Sequence, residues 1–467
     1  MFDYDNTIAD KDVEADPRRA LMRAVTRGLS GDSAPAQAAV HRITVEVDEP
    51  ADPLRWLQAQ SHDFKFYWMG RRRNRVVAAA GTADVVSTDA HPSYDTLEAD
   101  LEDRLRDADP GVHYLGGLRF DARLSDGGTG DWSAFGAYRF VLPRFELSTA
   151  DGRARLTCNL VLPRDAKALP AIRTQIEQLA WPGAGRTPKL PQPIGRRDAP
   201  GRGDWIEMIE SALTSIRAGA LDKVVLARRA TFAFEDALDP FVLLQHLQAA
   251  TPGCFHFGIQ PTPGKAFVGA SPERLFRLSE GTVQSEAIAG TRSRGDSAQA
   301  DAALRDELLD SEKDRREHAF VQTAIRNMLA PLCTKVTLKE AAAEMRLTRG
   351  RHLRSRFQGQ LRDDASPIDL LRALHPTPAV GGAPTDQALD FIRQAEPFDR
   401  GWYAGPVGWV GRDAAEFAVA LRCGRVAGSD LALYSGAGIV DGSVPAQEWA
   451  EIEQKISDFA AVLDLNA

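Results

Sequence analysis

From residue 41 onward the chain is broken into short alternating runs that suit strands better than helices. HRITVEV, DFKFYWMG, RVVAAAG, AFGAYRFVLP and ARLTCNLVLP follow one another between residues 41 and 163, with turn signals between them. Period-two alternation turns one face of each run toward a core. One helical run, YDTLEADLEDRLRDA, interrupts the series. The strand pattern returns with KVVLARRATFAF, CFHFGIQ, KAFVGA, RLFRLSE and TVQSEAIAG, then YAGPVGWVG, EFAVALRCGRV and DLALYSGAG. Helical runs sit between these clusters: DWIEMIESALTSIRAG, one long run over 301–330, PIDLLRAL, PTDQALDFIRQ and the final AQEWAEIEQKISDFAAVL. Such clustering argues for antiparallel or mixed sheets, not for a regular βαβ series. The expected class is α/β of the α+β type, with no doubly wound dinucleotide-binding domain.

Three segments are expected along the chain. Residues 1–40 are a polar, alanine-rich lead-in. Residues 41–203 are strand-rich and end in the linker WPGAGRTPKLPQPIGRRDAPGRG. Residues 204–467 carry most of the candidate chemistry. The 467 residues are 43% hydrophobic and 26% charged, enough for a large buried core. A net charge of -8 and the lack of a basic stripe argue against nucleic acid as a partner. Arg71, Arg72, Arg73 and Arg75 lie between two strand-like runs, as a solvated hairpin tip would. Cys158, Cys254, Cys333 and Cys423 are far apart and form no CxxC pair, so they are expected to be buried thiols in a reducing compartment. No apolar run approaches the ~18 residues of a membrane helix. The acidic start lacks the regions of a signal peptide. The expected location is the cytoplasm, without a membrane partner.

Several polar residues stand on otherwise apolar elements. Lys223 opens a strand with Val224, Val225 and Leu226 behind it. Desolvation there would lower its pKa and free it as a general base, although a strand-end lysine more often reaches water. Glu273 follows Ser271-Pro272 in a turn between strands. It is either a proton donor aimed inward or a turn carboxylate paired with Arg274. Asp314 and Glu317 share one helix face, as do Glu448 and Glu451. Carboxylates on two facing helices suit a hard cation such as Mg2+, whereas each pair alone is ordinary surface charge. AIAGT (287–291) and SGAGI (435–439) are small-residue turns whose N–H groups fit anions. Arg422, placed on a strand, and Lys455, one turn beyond Glu451, offer full positive charges. A salt bridge across the sheet is the plainer use for Arg422. HPTPAVGG (375–382) is a stiff turn that carries His375 and Thr377.

The blocks LDKVVLARR, VGASPERL, SEAIAGTRSRG, SEKDRREHAFV, LHPTPAVGG, EPFDRGWYAGPVGW, ALRCGRV, LYSGAGIV and VPAQEWAEIEQK stand in that order over residues 204–464. Together they resemble the chorismate-utilising enzymes, which include isochorismate synthase, anthranilate synthase component I, aminodeoxychorismate synthase and salicylate synthase. Residues 41–163, notably GGLRFDA and FVLPRFEL, resemble the more variable N-terminal part of the same fold. The resemblance implies one large α/β unit whose antiparallel sheets sandwich the active site, a need for magnesium and no organic cofactor.

Covalent aminodeoxychorismate synthases carry a lysine nucleophile where this chain has Ala289, so the resemblance implies water or ammonia as nucleophile. LHPTPAVGG looks like the isochorismate-forming branch, and Pro384-Thr385 follows it where salicylate synthases usually keep a lysine. The implied reaction is conversion of chorismate to isochorismate, which feeds menaquinone, siderophore or salicylate synthesis. Salicylate synthesis itself is the alternative. The roles implied are Lys223 as base, Glu273 as acid, Glu317 and Glu451 as Mg2+ ligands, and Asp314 and Glu448 as holders of metal-bound water. Gly290 and Thr291 would meet the ring carboxylate. Tyr403, Arg422, Gly436, Gly438 and Lys455 would hold the enolpyruvyl carboxylate, with His375 and Thr377 as a wall. The resemblance implies no amidotransferase subunit, and the absence of a clear extra interface in the sequence favours a monomer.

Overall fold

A computed structural model describes residues 16–29, 39–47, 52–73, 75–89, 93–121, 123, 130–183, 185–348, 350–463 and 465. The rest of the polar lead-in lies outside the described residues. Within it, Pro17–Leu29 form helix α1, followed by β1 (Ala39–Val47), α2 (Pro53–Ala59), β2 (Lys65–Met69) and β3 (Arg75–Thr88). Next come α3 (Tyr94–Leu105), β4 (Tyr114–Leu118), β5 (Tyr138–Ala150), β6 (Arg153–Leu162), α4 (Arg164–Lys167) and α5 (Leu169–Glu177). The chain continues through β7 (Gly195–Ala199), α6 (Arg202–Arg217), β8 (Lys223–Ala233), α7 (Pro240–Ala250), β9 (Phe255–Thr262), β10 (Lys265–Ser271) and β11 (Arg274–Ser279). Then follow β12 (Thr282–Ser293), α8 (Ala298–Asp310), α9 (Glu312–Leu329), β13 (Cys333–Arg346), β14 (Gly350–Leu361), α10 (Pro367–Leu374), β15 (Gly382–Ala383) and α11 (Thr385–Ala395). The last elements are β16 (Pro406–Val410), β17 (Ala414–Val419), β18 (Cys423–Ala427), β19 (Asp430–Ile439) and α12 (Pro445–Val462).

The strand pairs are antiparallel, and the ladder branches at β5. One arm runs β5-β3-β2-β9-β10-β18-β19-β8 and ends on β7 and β15. The other runs β5-β4-β16-β17-β11-β12-β14-β13. Within residues 204–467 two short links carry the chain directly from a strand of one arm to a strand of the other, with no helix between. Pro272 and Glu273 join β10 to β11, and Ala420–Arg422 join β17 to β18. Side chains at these links stand where the two arms meet.

Local chemistry explains why the site elements form. Strand β8 has neighbours on both edges, and its first six residues are all buried. That is why KVVLAR reads as an unbroken apolar run rather than an alternation. Burying each of its large aliphatic side chains is worth about 1.5–3 kcal/mol. Helix α9 starts at Ser311, whose Oγ accepts the Asp314 N–H at 3.2 Å. Its buried stripe Val321, Ile325 and Leu329 recurs every four residues, so the helix packs on one side and keeps its first turn for polar work. Arg400 is buried and paired with Glu396 at 2.5 Å. It also donates to the carbonyls of Val225 (2.6 Å) and Val380 (3.1 Å), pinning the HPTPAVGG segment to β8.

Five expectations change. The long helix over 301–330 is two helices, because Ser311 ends α8 and caps α9. The 181–203 span is not linker throughout: β7 within it pairs with β8. AIAGT and SGAGI are not turns after strands. The first lies inside β12, with a bulge at Gly290 (φ 72°), and the second inside β19. Arg422 is not on a strand but between β17 and β18, with φ 47°. Arg71 stands at the β2–β3 tip as expected, but its side chain is only 12% exposed and is ion-paired to the buried Glu286. The four cysteines are free and buried, as expected. Among the described residues no helix is long and apolar enough to cross a membrane.

Candidate active site

Lys223 is 4% exposed, and its Nζ donates to Glu317 Oε1 at 2.8 Å. The neighbouring strand makes room for it. A Cβ on Gly438 would lie 3.0 Å from Lys223 Cε, 3.4 Å from Nζ and 3.8 Å from Glu317 Oε1. Gly438 is therefore glycine because the lysine crosses over it. Two residues back, a Cβ on Gly436 would lie 3.0 Å from the Tyr403 hydroxyl. The Gly436 carbonyl accepts Lys455 Nζ at 3.1 Å, and Lys455 also pairs with Glu451 at 2.7 Å. Tyr403 is buried and stacks on Tyr434 with ring centroids 5.2 Å apart, and burial raises its pKa. Strand β19 thus gathers Lys223, Glu317, Tyr403 and Lys455, with Glu451 behind Lys455, along the five residues Tyr434–Gly438.

Glu273 is 5% exposed in a clamped turn. Its N–H donates to Ser271 Oγ at 3.2 Å, Ser271 Oγ donates to the Val419 carbonyl at 2.6 Å, and the Val419 N–H donates back to the Glu273 carbonyl at 3.1 Å. Arg274 does not pair with it, since that guanidinium is held by Glu416 at 3.0 Å and lies 3.7 Å from Glu286. Burial pushes the Glu273 carboxyl up to about 8. The charge of Glu286 adds to the rise, while Lys223 and Arg71 oppose it. A carboxyl in that state carries a proton at neutral pH and can donate it.

Gly290 and Thr291 sit at the β12 bulge. A Cβ on Gly290 would lie 3.2 Å from Asp314 Oδ1, so α9 rests on this glycine. Thr291 Oγ1 is 3.0 Å from His352 Nδ1, and His352 Nε2 is 3.1 Å from Arg422 Nη2. A guanidinium can only donate, so Nε2 accepts and the proton sits on Nδ1, facing Thr291 and the Gly290 carbonyl at 3.3 Å. Burial, with Arg422 beside it, drives the His352 pKa down to about 3, which fixes this neutral tautomer. His352 links two expected anion-binding positions and is the site residue that sequence reasoning missed. The signal for its strand, β14, is the period-two alternation of Leu353, Ser355, Phe357, Gly359 and Leu361.

The expected metal residues divide. Glu317 and Glu451 are half-exposed, each bound to a lysine. Asp314 is buried, with Oδ2 taking Arg292 at 2.8 Å. Glu448 is buried, and burial and the Glu451 charge raise its pKa against Ser443, Lys313 and Lys455. Among the described residues no three ligating side chains form a ready-made cluster. The donor set still fits a hard cation. It offers carboxylate oxygens only, two of them already neutralised by ammonium groups, and a like-charged Glu448–Glu451 neighbourhood that a cation would relieve. His375 turns away from this group. Its Nε2 donates to the Phe120 carbonyl at 2.9 Å, and burial lowers its pKa to about 4. Thr377 is buried, and its hydroxyl has no partner among the described residues.

A cavity of about 280 Å³ opens at Lys223 and Glu317, lined also by Lys313, Arg316, Phe320 and Val440. Its size suits a small ligand and its cations suit an anion. A second cavity of about 340 Å³ is lined by Phe120, Asp121, Glu396 and Arg400. Its charges already pair with one another, Asp121 with Arg393 and Glu396 with Arg400, so it offers no reacting group.

Comparison with known proteins identifies the family and the fold. The model of the family "Chorismate binding enzyme" matches residues 26–464. The salicylate biosynthesis isochorismate synthase of Pseudomonas aeruginosa is 39% identical over 354 residues, covering 74% of this chain and 73% of that protein. The chloroplastic isochorismate synthase of Catharanthus roseus is 36% identical over 373 residues, and the chain spans 63% of that protein's length. The structure of MenF, the menaquinone-specific isochorismate synthase from Escherichia coli, superposes with a TM-score of 0.84 at 28% identity, covering 96% of this chain and 100% of MenF. The arms that meet at Glu273 and Arg422 are thus a shared architecture, and the chain belongs to the chorismate binding enzyme family.

Proposed function

We propose that this protein converts chorismate to isochorismate by adding water at one ring carbon and expelling the hydroxyl from another. The observation that carries the reading is a base and an acid of opposite habit within electrostatic reach of each other. Lys223 is a buried lysine on a dry strand, and Glu273 is a carboxyl held protonated up to about pH 8. Lys223 takes a proton from water, and the water oxygen bonds to the ring carbon beside the carboxylate-bearing one. The ring double bonds shift, and the departing hydroxyl leaves as water with the Glu273 proton. One proton is gained by Lys223 and one is lost by Glu273, so the net reaction is an isomerisation.

Lys223 is bonded to Glu317, and an ammonium held there is not a base. The role requires Glu317 to release it when the site fills. Glu317 and Glu451 would hold Mg2+, with Glu448 and Asp314 behind them. Bound there, Mg2+ supplies positive charge to the ring carboxylate. The β12 bulge offers the Thr291 hydroxyl to that carboxylate. Arg422, Tyr403 and Lys455 would hold the enolpyruvyl carboxylate, and the two cations among them offset the overall -8 of the chain. Water as nucleophile needs no amidotransferase subunit.

The test is to incubate the purified chain with chorismate and Mg2+ and separate the products by chromatography. Isochorismate is expected, with its formation stopped by a chelator and restored by Mg2+. Salicylate fluorescence or an aminated product with ammonium would replace this reading by another branch of the family.

A further inference from the structure

The catalytic half has a support that comes from the other half of the chain. Arg71 stands at the β2–β3 tip, more than 200 residues before Glu286, and its Nη2 is ion-paired to the Glu286 carboxylate. Its Nη1 donates at 3.1 Å to the carbonyl of Pro272, the residue directly before Glu273. The guanidinium lies over the Phe255 ring at 5.1 Å and touches Met345 Sδ at 3.9 Å, so its plane is held by packing. Glu286 is 3% exposed, and its Oε2 has no hydrogen-bond partner among the described residues. A buried carboxylate with a free oxygen is costly and is normally avoided. Here it faces the turn that carries the proton donor.

The geometry points to Arg71 and Glu286 as a positioning pair for Glu273: the guanidinium fixes the Pro272–Glu273 turn, and the carboxylate keeps the Glu273 proton in place. This rests on the proposed acid role of Glu273. The charged groups around Glu273 are Glu286 from β12, Lys223 from β8 and Arg71 from the hairpin tip. Arg274 of β11 is engaged by Glu416 of β17. Glu286 raises the Glu273 pKa, and Arg71 and Lys223 lower it. The two members of the pair therefore act in opposite directions.

The test follows the Glu273 proton by the infrared C=O stretch of the full-length protein across pH, with Glu273→Gln assigning the band, beside the pH profile of chorismate turnover. In the wild type the band should vanish near pH 8. Glu286→Gln should move that loss down by about one pH unit, and Arg71→Met should move it up by a similar amount. Arg71→Met should also lower kcat about tenfold at unchanged KM, because the turn loses its anchor. Arg71→Lys should restore the titration but not kcat, since an ammonium cannot span Pro272 and Glu286 as the planar fork does. If Arg71→Met does not fold, the Arg71→Met/Glu286→Gln double variant buries no lone charge and should show the same kcat loss with a nearly wild-type titration. Wild-type titration in both single variants, or wild-type kcat without Arg71, overturns the pairing. The infrared titration needs no turnover, so failure to make isochorismate would count against the function and not against the pair.

Discussion

Glu273 and Glu317 both lie within electrostatic reach of Lys223, yet their surroundings hold them in different states. Glu273 sits in the β10–β11 link with its carboxyl dry and no guanidinium bonded to it, and it keeps its proton up to about pH 8. Glu317 lies on the first turns of α9, 30% exposed, with the Lys223 ammonium at 2.8 Å. On the proposed reading, one residue type thus serves as proton donor on the sheet side and as cation ligand on the helix side. Burial without a partner keeps the proton on Glu273.

The comparison breaks most sharply at Glu273. Glu273→Gln keeps the shape and removes the proton, so kcat should fall about 10³-fold. The unfolding midpoint at neutral pH should not fall. The sign follows from linkage. The folded carboxyl titrates at about 8 and the unfolded one near 4.5, so the folded state holds the extra proton between those values. The stability this group contributes is present below about 4.5 and is lost as pH rises through 8. Glutamine removes that dependence, and the wild type alone should weaken over this window. A midpoint drop of several degrees in Glu273→Gln at pH 7 would mean the carboxyl is structural.

Helix-side geometry should respond next. Gly438→Ala puts a methyl 3.0 Å from Lys223 Cε, and the lysine must shift off Glu317 or off its approach to substrate. A displacement near 1 Å in a reacting group costs about a hundredfold, and the few tenths of an ångström needed here should lower kcat/KM roughly fivefold while the fold stands. Wild-type kinetics in Gly438→Ala would separate the lysine from the chemistry.

Much of this contrast was legible in the sequence because local pattern dictates it. The apolar run behind Lys223, the Ser-Pro-Glu turn and the i, i+3 carboxylates of α9 and α12 are all short-range signals. What escaped depends on partners distant in the chain. Arg71 sits in a run of arginines at a turn, where solvent is the ordinary fate, and only the pairing of β2 with β9 brings it to Pro272 and Glu286. His352 escaped because β14 lies inside the second arm between β12 and β13, and its polar residues look like surface charge until α8 and α9 pack against the strand. The glycines of β19 were read as turns. Their true reason is the Lys223 and Tyr403 side chains lying over them, which no spacing encodes.

The mildest test compares the two helices of the cation side. Glu448 is 9% exposed and stands one turn before Glu451, with Lys313 reaching it from α9 and Lys455 from its own helix. Burial and the neighbouring Glu451 raise its pKa, so its charge is the least comfortable of the set and the one a cation would favour most. If it stands behind the ion, Glu448→Gln keeps the size and a hydrogen-bonding oxygen but removes the charge that offsets Mg2+. The Mg2+ concentration for half-maximal activity should then rise about tenfold, the usual scale for a group behind the direct ligands, with kcat at saturating Mg2+ nearly kept. Glu451→Gln, a direct ligand on this reading, should lose kcat that no Mg2+ concentration restores. Equal behaviour of the two variants would place both carboxylates at the same distance from the ion.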